Sequence, residues 1–367
     1  MSYRKVLDDL RHGRADRRTV SKAMASLGLA TAVTPIAASA EEGQMPVYFT
    51  WSGYEIPELH PPFVAKYGKP IDYSNFAGTT EAIQKMRAGY RPDLSHPCTE
   101  DMTIWTEAGV VAPLDTSRLS NWENLFPGLK SQGGVEYGGQ VMFAPTDWGN
   151  SSVIYRSDLV DAEESWAMLF DERYAGKISP YDSTSNVQAA AMILGIDPHA
   201  IPDDVLNGEI ANMLRKQRSI ARNYWGAAAE LDQMLASGEV VIAYAWNETY
   251  KRLKEQGVPV TYARPKEGIW GWCCGVVRIK DADGDEQMAY DFIDAWLSAE
   301  AGKNLIEMYG YGHSNIKAFE IADPAVVDSL GLTNPEALMV ESYFFGPMDP
   351  EEDTRHNTLW EEIQAGS

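Results

Sequence analysis

The tryptophans and tyrosines of this chain fall where apolar runs end and loops begin. Trp51 closes the run 47–51 and Tyr54 follows three residues later. Trp148 follows 141–145, and Trp246 closes 240–245. Trp270 and Trp272 precede 275–279, Trp225 precedes a helical stretch, and Tyr309 and Tyr311 sit in a glycine-flanked turn. A core aromatic belongs in the middle of an apolar run, so this repeated end placement points to rings gathered at a cleft. Aromatic faces carry negative potential, and a box of them attracts ammonium or alkylammonium groups while excluding water around their methylenes. Carboxylates supply charge-assisted hydrogen bonds to any N–H the cation carries. The acids at strand ends are Glu100, Asp101, Asp147, Asp182 and Glu248. For Glu100 and Asp101, capping of the helix expected over 101–108 is the competing role.

Catalytic chemistry finds little support. The six histidines show no metal-ligand spacing, and none accompanies a nucleophile motif or a glycine-rich phosphate loop. His96 and Cys98 share a face of an extended chain, but no third group is evident to orient a base. The chain reads as a binding protein without a cofactor or a metal. Of Cys98, Cys273 and Cys274, neighbours can bridge each other only through a strained ring. Buried free thiols are the expected state, with one bridge from Cys98 to either partner as the alternative.

The elements that must position these side chains alternate. Strands are expected at 47–51, 71–74, 153–155, 177–181, 239–246 and 258–262, and helices at 56–67, 79–88, 186–194, 227–237 and 248–256. A short helix is expected around 359–363. Strand–helix–strand repetition means parallel units and an α/β architecture, with ligands outside the carboxyl ends of the strands. Upstream, residues 14–40 read as an export signal of the twin-arginine type. Arg17 and Arg18 stand as a pair, 23–36 is uncharged and alanine-rich, and Ala38-Ser39-Ala40 supplies small residues for cleavage. The remaining 327 residues carry 24 Lys and Arg against 50 Asp and Glu, a formal charge of −26. Such a surface repels nucleic acid and draws in cations.

The portion from residue 41 resembles the extracellular solute-binding proteins of ABC importers, especially the spermidine/putrescine-binding group. The matching stretches are 47–54, Trp148-Gly149, Gly238-Glu239-Val240 leading to Ala245-Trp246-Asn247, 265–268, and Gly310-Tyr311 before Ser314-Asn315. The resemblance implies a type II-like periplasmic-binding-protein fold, each lobe a mixed sheet flanked by helices, with a hinge crossed near 145–149, 272–275 and 312. It divides the chain into 41–146 plus 275–312 and 147–274 plus 313–367. It implies a periplasmic monomer that hands a small cationic solute to an inner-membrane permease. By position, Trp51, Tyr54, Trp246, Trp272 and Tyr311 match the family's ring box, with Trp148 and Trp225 nearby. Where the family holds amine ends with acids, this chain has Ser183, Asn186 and Cys274. Two ligand classes follow: a polyamine or other amine gripped by Glu100, Asp101 or Asp182, and a quaternary ammonium whose polar tail meets Ser183, Asn186 and Asn150.

Overall fold

The computed structural model describes residues 43–344 and 346–366, so the export-signal reading lies outside the described residues. The strands are β1 (Val47–Trp51), β2 (Asp72–Phe76), β3 (Leu94–Ser95), β4 (Val111–Ala112), β5 (Glu136–Tyr137), β6 (Gln140–Val141), β7 (Ala144–Arg156), β8 (Ile178–Ser179), β9 (Ile242–Trp246), β10 (Val260–Tyr262), β11 (Ile269–Ile279), β12 (Gly312–His313) and β13 (Ser342–Phe344). All but the β5–β6 hairpin join one path of order β2-β1-β3-β11-β7-β9-β8. On it β10 and β12 pair with β7, and β4 and β13 with β11. The expected parallel units appear at the ends of the path, where β1 runs parallel to β2 and β3, and β8 parallel to β9. Its middle is antiparallel, because β7 and β11 pair with each other and β7 also pairs with β9 and β10.

Apolar burial divides along β7 and β11. One core gathers Phe49, Trp105, Phe143, Val277 and Ile306, with Tyr48, Phe63, Phe292 and Trp296 beside them. The other gathers Val153, Ile154, Trp166, Ile242 and Trp270, with Leu214 and Ile363 beyond. Each such side chain contributes roughly 1.5–3 kcal/mol on burial, so each half carries its own stabilising nucleus. Strand β7 sends Ala144 into the first core and Val153 into the second, and β11 sends Trp270 into the second and Val277 into the first.

Residues 318–332 depart from the expected division. Ala318, Ala322, Val327 and Leu332 pack into the first core, and the last passage between cores falls at β13, not at Gly312. There Tyr343 packs against the second core and Phe344 against the first. The helix expected over 56–67 is interrupted, leaving Pro57–Leu59 and Pro61–Tyr67. His60 sits between them outside the helical region, as a residue before proline is driven to do. The short helix expected near 359–363 is the 16-residue helix Pro350–Ala365. Asp349 caps it by accepting from the Glu351 N–H, and Leu359, Trp360 and Ile363 are its buried face. Among the described residues, no helix is long and apolar enough to cross a membrane.

Candidate functional site

On the first-core side, Trp51 ends β1 with its Nε1 donating to the His96 carbonyl at 3.0 Å. Tyr54, in the turn that follows, donates to Asp147 Oδ2 at 3.1 Å. Its ring lies 4.8 Å from His96 and 5.7 Å from Tyr309. Tyr309 donates to the Gly53 carbonyl at 2.6 Å, which ties that turn to the end of the helix Ala299–Tyr309. Gly310, at φ 77°, closes this helix in the left-handed conformation and sends the chain into Tyr311. Tyr311 meets Trp272 edge to face at 4.8 Å. Tyr54, Tyr309, Tyr311 and Trp272 therefore form a continuous row of rings.

A buried polar network backs this row. Asp147 is 1% exposed and accepts from Thr146 Oγ1 at 2.6 Å and from Tyr54, and its Oδ1 lies 2.8 Å from His96 Nε2. His96 Nδ1 in turn meets the Tyr48 hydroxyl at 2.8 Å and the Thr50 hydroxyl at 3.2 Å. Burial pushes the Asp147 carboxyl upward, but His96 and the two hydroxyl donors outweigh it and hold the group below the usual range. Burial drives the Tyr54 and Tyr311 phenols well above theirs, followed by Asp147 at Tyr54 and by Glu248 at Tyr311.

The second-core side is built from rings on rings. Trp246 ends β9 with Tyr181 and Trp225 each 5.2 Å away, and Tyr181 lies 4.7 Å from Trp225. Trp225 is fully buried and donates to the Tyr244 carbonyl at 3.0 Å. Trp246 is half-buried and packs against apolar residues of both cores.

Between the sides lies the β7–β11 pair, where Gly149 stands opposite Trp272. A Cβ at Gly149 would run into the Trp272 indole and Asn247 Oδ1, so glycine is what lets the ring lie against the strand. Asn247 accepts from the Asn150 N–H at 3.3 Å and donates to the Gly310 carbonyl, joining floor to ring row. Trp272 Nε1 and Asn150 Oδ1 are buried without hydrogen-bond partners.

The acids separate by role. Asp101 is engaged at both oxygens, accepting from Thr79 Oγ1 at 2.7 Å and from the Cys98 N–H at 3.1 Å, so it closes a capping box on the turn Thr99–Asp101 and not, as expected, a cap on the helix that follows. Burial, then the neighbouring charge of Asp101, raises Glu100 to about 8, and burial raises Asp101 to about 6. Glu100 Oε2 is buried and unpartnered. Asp182 accepts from Trp360 Nε1 at 3.2 Å and Gln364 Nε2 at 3.0 Å, so the C-terminal helix occupies it. Ser183 Oγ accepts from the Ser185 N–H, and Asn186 Nδ2 donates to the Tyr181 and Ser183 carbonyls, fixing the start of the helix Ser185–Ile193. Asn186 is 1% exposed and its Oδ1 has no partner.

The thiol expectation is corrected. Cys98 and Cys274 form a disulfide, and only Cys273, buried, is free among the described cysteines. The pairing follows from an isolated bridge between the two positions, which no spacing in the chain reveals. Cys274 is therefore no thiol donor to a ligand. Trp148 is 1% exposed, donates to the His313 carbonyl at 3.1 Å and lies against Gly312, so it backs the floor from the first core. His96, weighed above only as partner to a nucleophile, is instead the centre of the Asp147 network. An apolar strand entering Ser95-His96-Pro97 was the available signal.

Comparison with known proteins gives this architecture a family. Residues 58–329 match the family of bacterial extracellular solute-binding proteins, and the chain belongs to it. It is a two-lobe solute-binding protein that works outside the cytoplasm, and not an enzyme. It is 25% identical over 359 residues to the putrescine-binding periplasmic protein PotF of Escherichia coli, covering 92% of this chain and 96% of that one. The spermidine/putrescine-binding periplasmic protein of the same organism is 24% identical over 298 residues, 80% of this chain and 84% of the other. The spermidine/putrescine substrate-binding protein PotD of Streptococcus pneumoniae shares the fold with a TM-score of 0.74 at 20% identity, over 88% of this chain and 99% of that chain.

Proposed function

We propose that this protein is the periplasmic substrate-binding subunit of an ABC importer that captures a small cationic nitrogen compound, a polyamine or related amine. The ligand lies between Trp246 and Tyr181 of one lobe and Tyr54, Tyr311 and Trp272 of the other. The lobes close by a hinge in β7, β11 and β13, and the closed form is presented as a monomer to an inner-membrane permease. The observation that carries this reading is Trp246, a half-buried indole that stands beside Tyr181 and Trp225 and packs against both cores. Rings give a cation attraction worth about 2 kcal/mol or more once desolvated. Closure follows because a ligand touching both lobes binds the closed state better than the open one.

A quaternary ammonium is the competing ligand, favoured by Ser183, Asn186 and Cys274 at the positions where the resemblance calls for acids. Tryptophan fluorescence with putrescine, spermidine, choline and glycine betaine separates the two. A spectral change with an N–H-bearing amine supports the first reading, preference for choline or betaine supports the second, and no response to any of them removes both.

A further inference from the structure

We propose that Glu100 is the carboxylate that receives the ligand's N–H-bearing cation, and that it releases a proton as the cation arrives. This rests on the reading above that a cationic nitrogen compound occupies the cleft.

The turn Thr99–Asp101 holds two adjacent acids with different surroundings. Asp101 spends its oxygens on Thr79 and the Cys98 N–H, whereas Glu100 Oε2 is buried with nothing to accept from. The turn cannot swing outward to wet that oxygen, because the Cys98–Cys274 disulfide ties it to β11 two residues past Trp272. The charge of Glu100 acts on the Tyr244 phenol in β9, on the second-core side, and near there Ser185 Oγ, at the start of the helix Ser185–Ile193, is buried without a partner. One residue beyond Ser185 is Asn186, almost fully buried with its own Oδ1 unpartnered.

The groups acting on Glu100 are all acids or weak acids. Asp101 sits beside it on its own turn, with Asp353 of the C-terminal helix acting on Asp101. The charge of Glu100 acts in turn on Cys273 of β11 and on Tyr244 of β9. No Lys or Arg is among the groups that shift it. A buried carboxylate beside a second acid with no cation is costly, so the group stays protonated near neutrality. When an ammonium enters, the Glu100 O–H bond breaks, its proton leaves to solvent, and the carboxylate accepts an N–H from the cation. Charge is conserved: one positive nitrogen enters and one proton departs. A quaternary head has no N–H and would leave Oε2 unpaired, so this position selects primary or secondary ammonium, amidinium or guanidinium groups.

Calorimetry of the whole protein with putrescine, in two buffers of different ionisation enthalpy, counts the protons. The expected result at pH 7 is release of close to one proton per ligand, with affinity rising about tenfold or more between pH 6 and pH 8. Glu100→Gln is expected to abolish the release, flatten the pH profile and weaken binding about tenfold or more, and choline should bind at least tenfold more weakly than putrescine to the wild type. Wild-type binding without proton release overturns the role of Glu100 and leaves the carrier reading standing, as does a Gln variant with an unchanged slope or a preference for choline. If none of putrescine, spermidine, choline and glycine betaine binds the wild type, the carrier reading falls with it. If the Gln variant does not fold, the wild-type proton count decides alone.

Discussion

The two sides of the candidate site are held in opposite ways. On the first-core side three rings are tethered by a polar bond, Trp51 to the His96 carbonyl, Tyr54 to Asp147 and Tyr309 to Gly53, while the Trp272 indole N–H has no partner. On the second-core side Tyr181, Trp225 and Trp246 lean on one another, 4.7 to 5.2 Å apart, with a single indole N–H bond to the Tyr244 carbonyl behind them. The first arrangement fixes ring orientation and sets the buried Asp147 carboxylate directly behind Tyr54. The second offers a dry, polarisable surface tolerant of methylene chains.

Acidification should distinguish the sides most strongly. Burial lowers His60 and His313, both in the first core region, to about 4. The unfolded chain takes up a proton near 6.5 and the folded one only near 4. The stability these histidines give is therefore intact above pH 6.5 and is lost as pH falls toward 4, by up to about 3 kcal/mol for each. Unfolding midpoints at pH 7, 5.5 and 4.5 should decline accordingly, with a smaller decline in His60→Phe. An equal decline in that variant would remove His60 from the explanation.

Asp147→Ala should cost roughly 3–5 kcal/mol, because it strands buried His96, Thr146 and Tyr54 without their common partner. Denaturant unfolding measures it, and a loss under 1 kcal/mol would mean the network is solvated and not structural. Replacing both Cys98 and Cys274 by Ser opens a link spanning 176 residues and should cost about 2–4 kcal/mol. Unchanged stability after that double replacement would show the turn to be held by Asp101 alone. Trp225→Phe keeps a ring in the dry cluster and gives up one N–H bond, so about 1–2 kcal/mol is expected. If it destabilises as much as Asp147→Ala, the contrast between tethered and stacked sides is broken.

Much of this was legible in the chain. The strand ending at Trp246 and the one ending at Trp51 are apolar runs whose length and termination specify them, and the structure has both. Trp148 and Trp225 have the same signature yet lie fully buried, because a strand end can be covered by a neighbouring loop that periodicity does not reveal. The antiparallel middle of the sheet was invisible for a related reason: Gly149, Asn150, Ser151 and Ser152 interrupt the apolar pattern of β7 where it passes between cores. Pairing between distant positions also leaves no local trace, which hid both the Cys98–Cys274 bond and the capture of Asp182 by Trp360 and Gln364. The departures at Ser183, Asn186 and Cys274 could be read from the chain, but which acid stands unpaired could not. That depends on three-dimensional accounting of donors.

The measurement that tests the account most directly is calorimetric titration of putrescine into Trp246→Ala alongside Trp246→Phe and the wild type. Binding is expected to weaken about tenfold or more in Ala and to be largely retained in Phe, since the phenyl face keeps its cation attraction. A folded Trp246→Ala protein that binds putrescine like the wild type would contradict it.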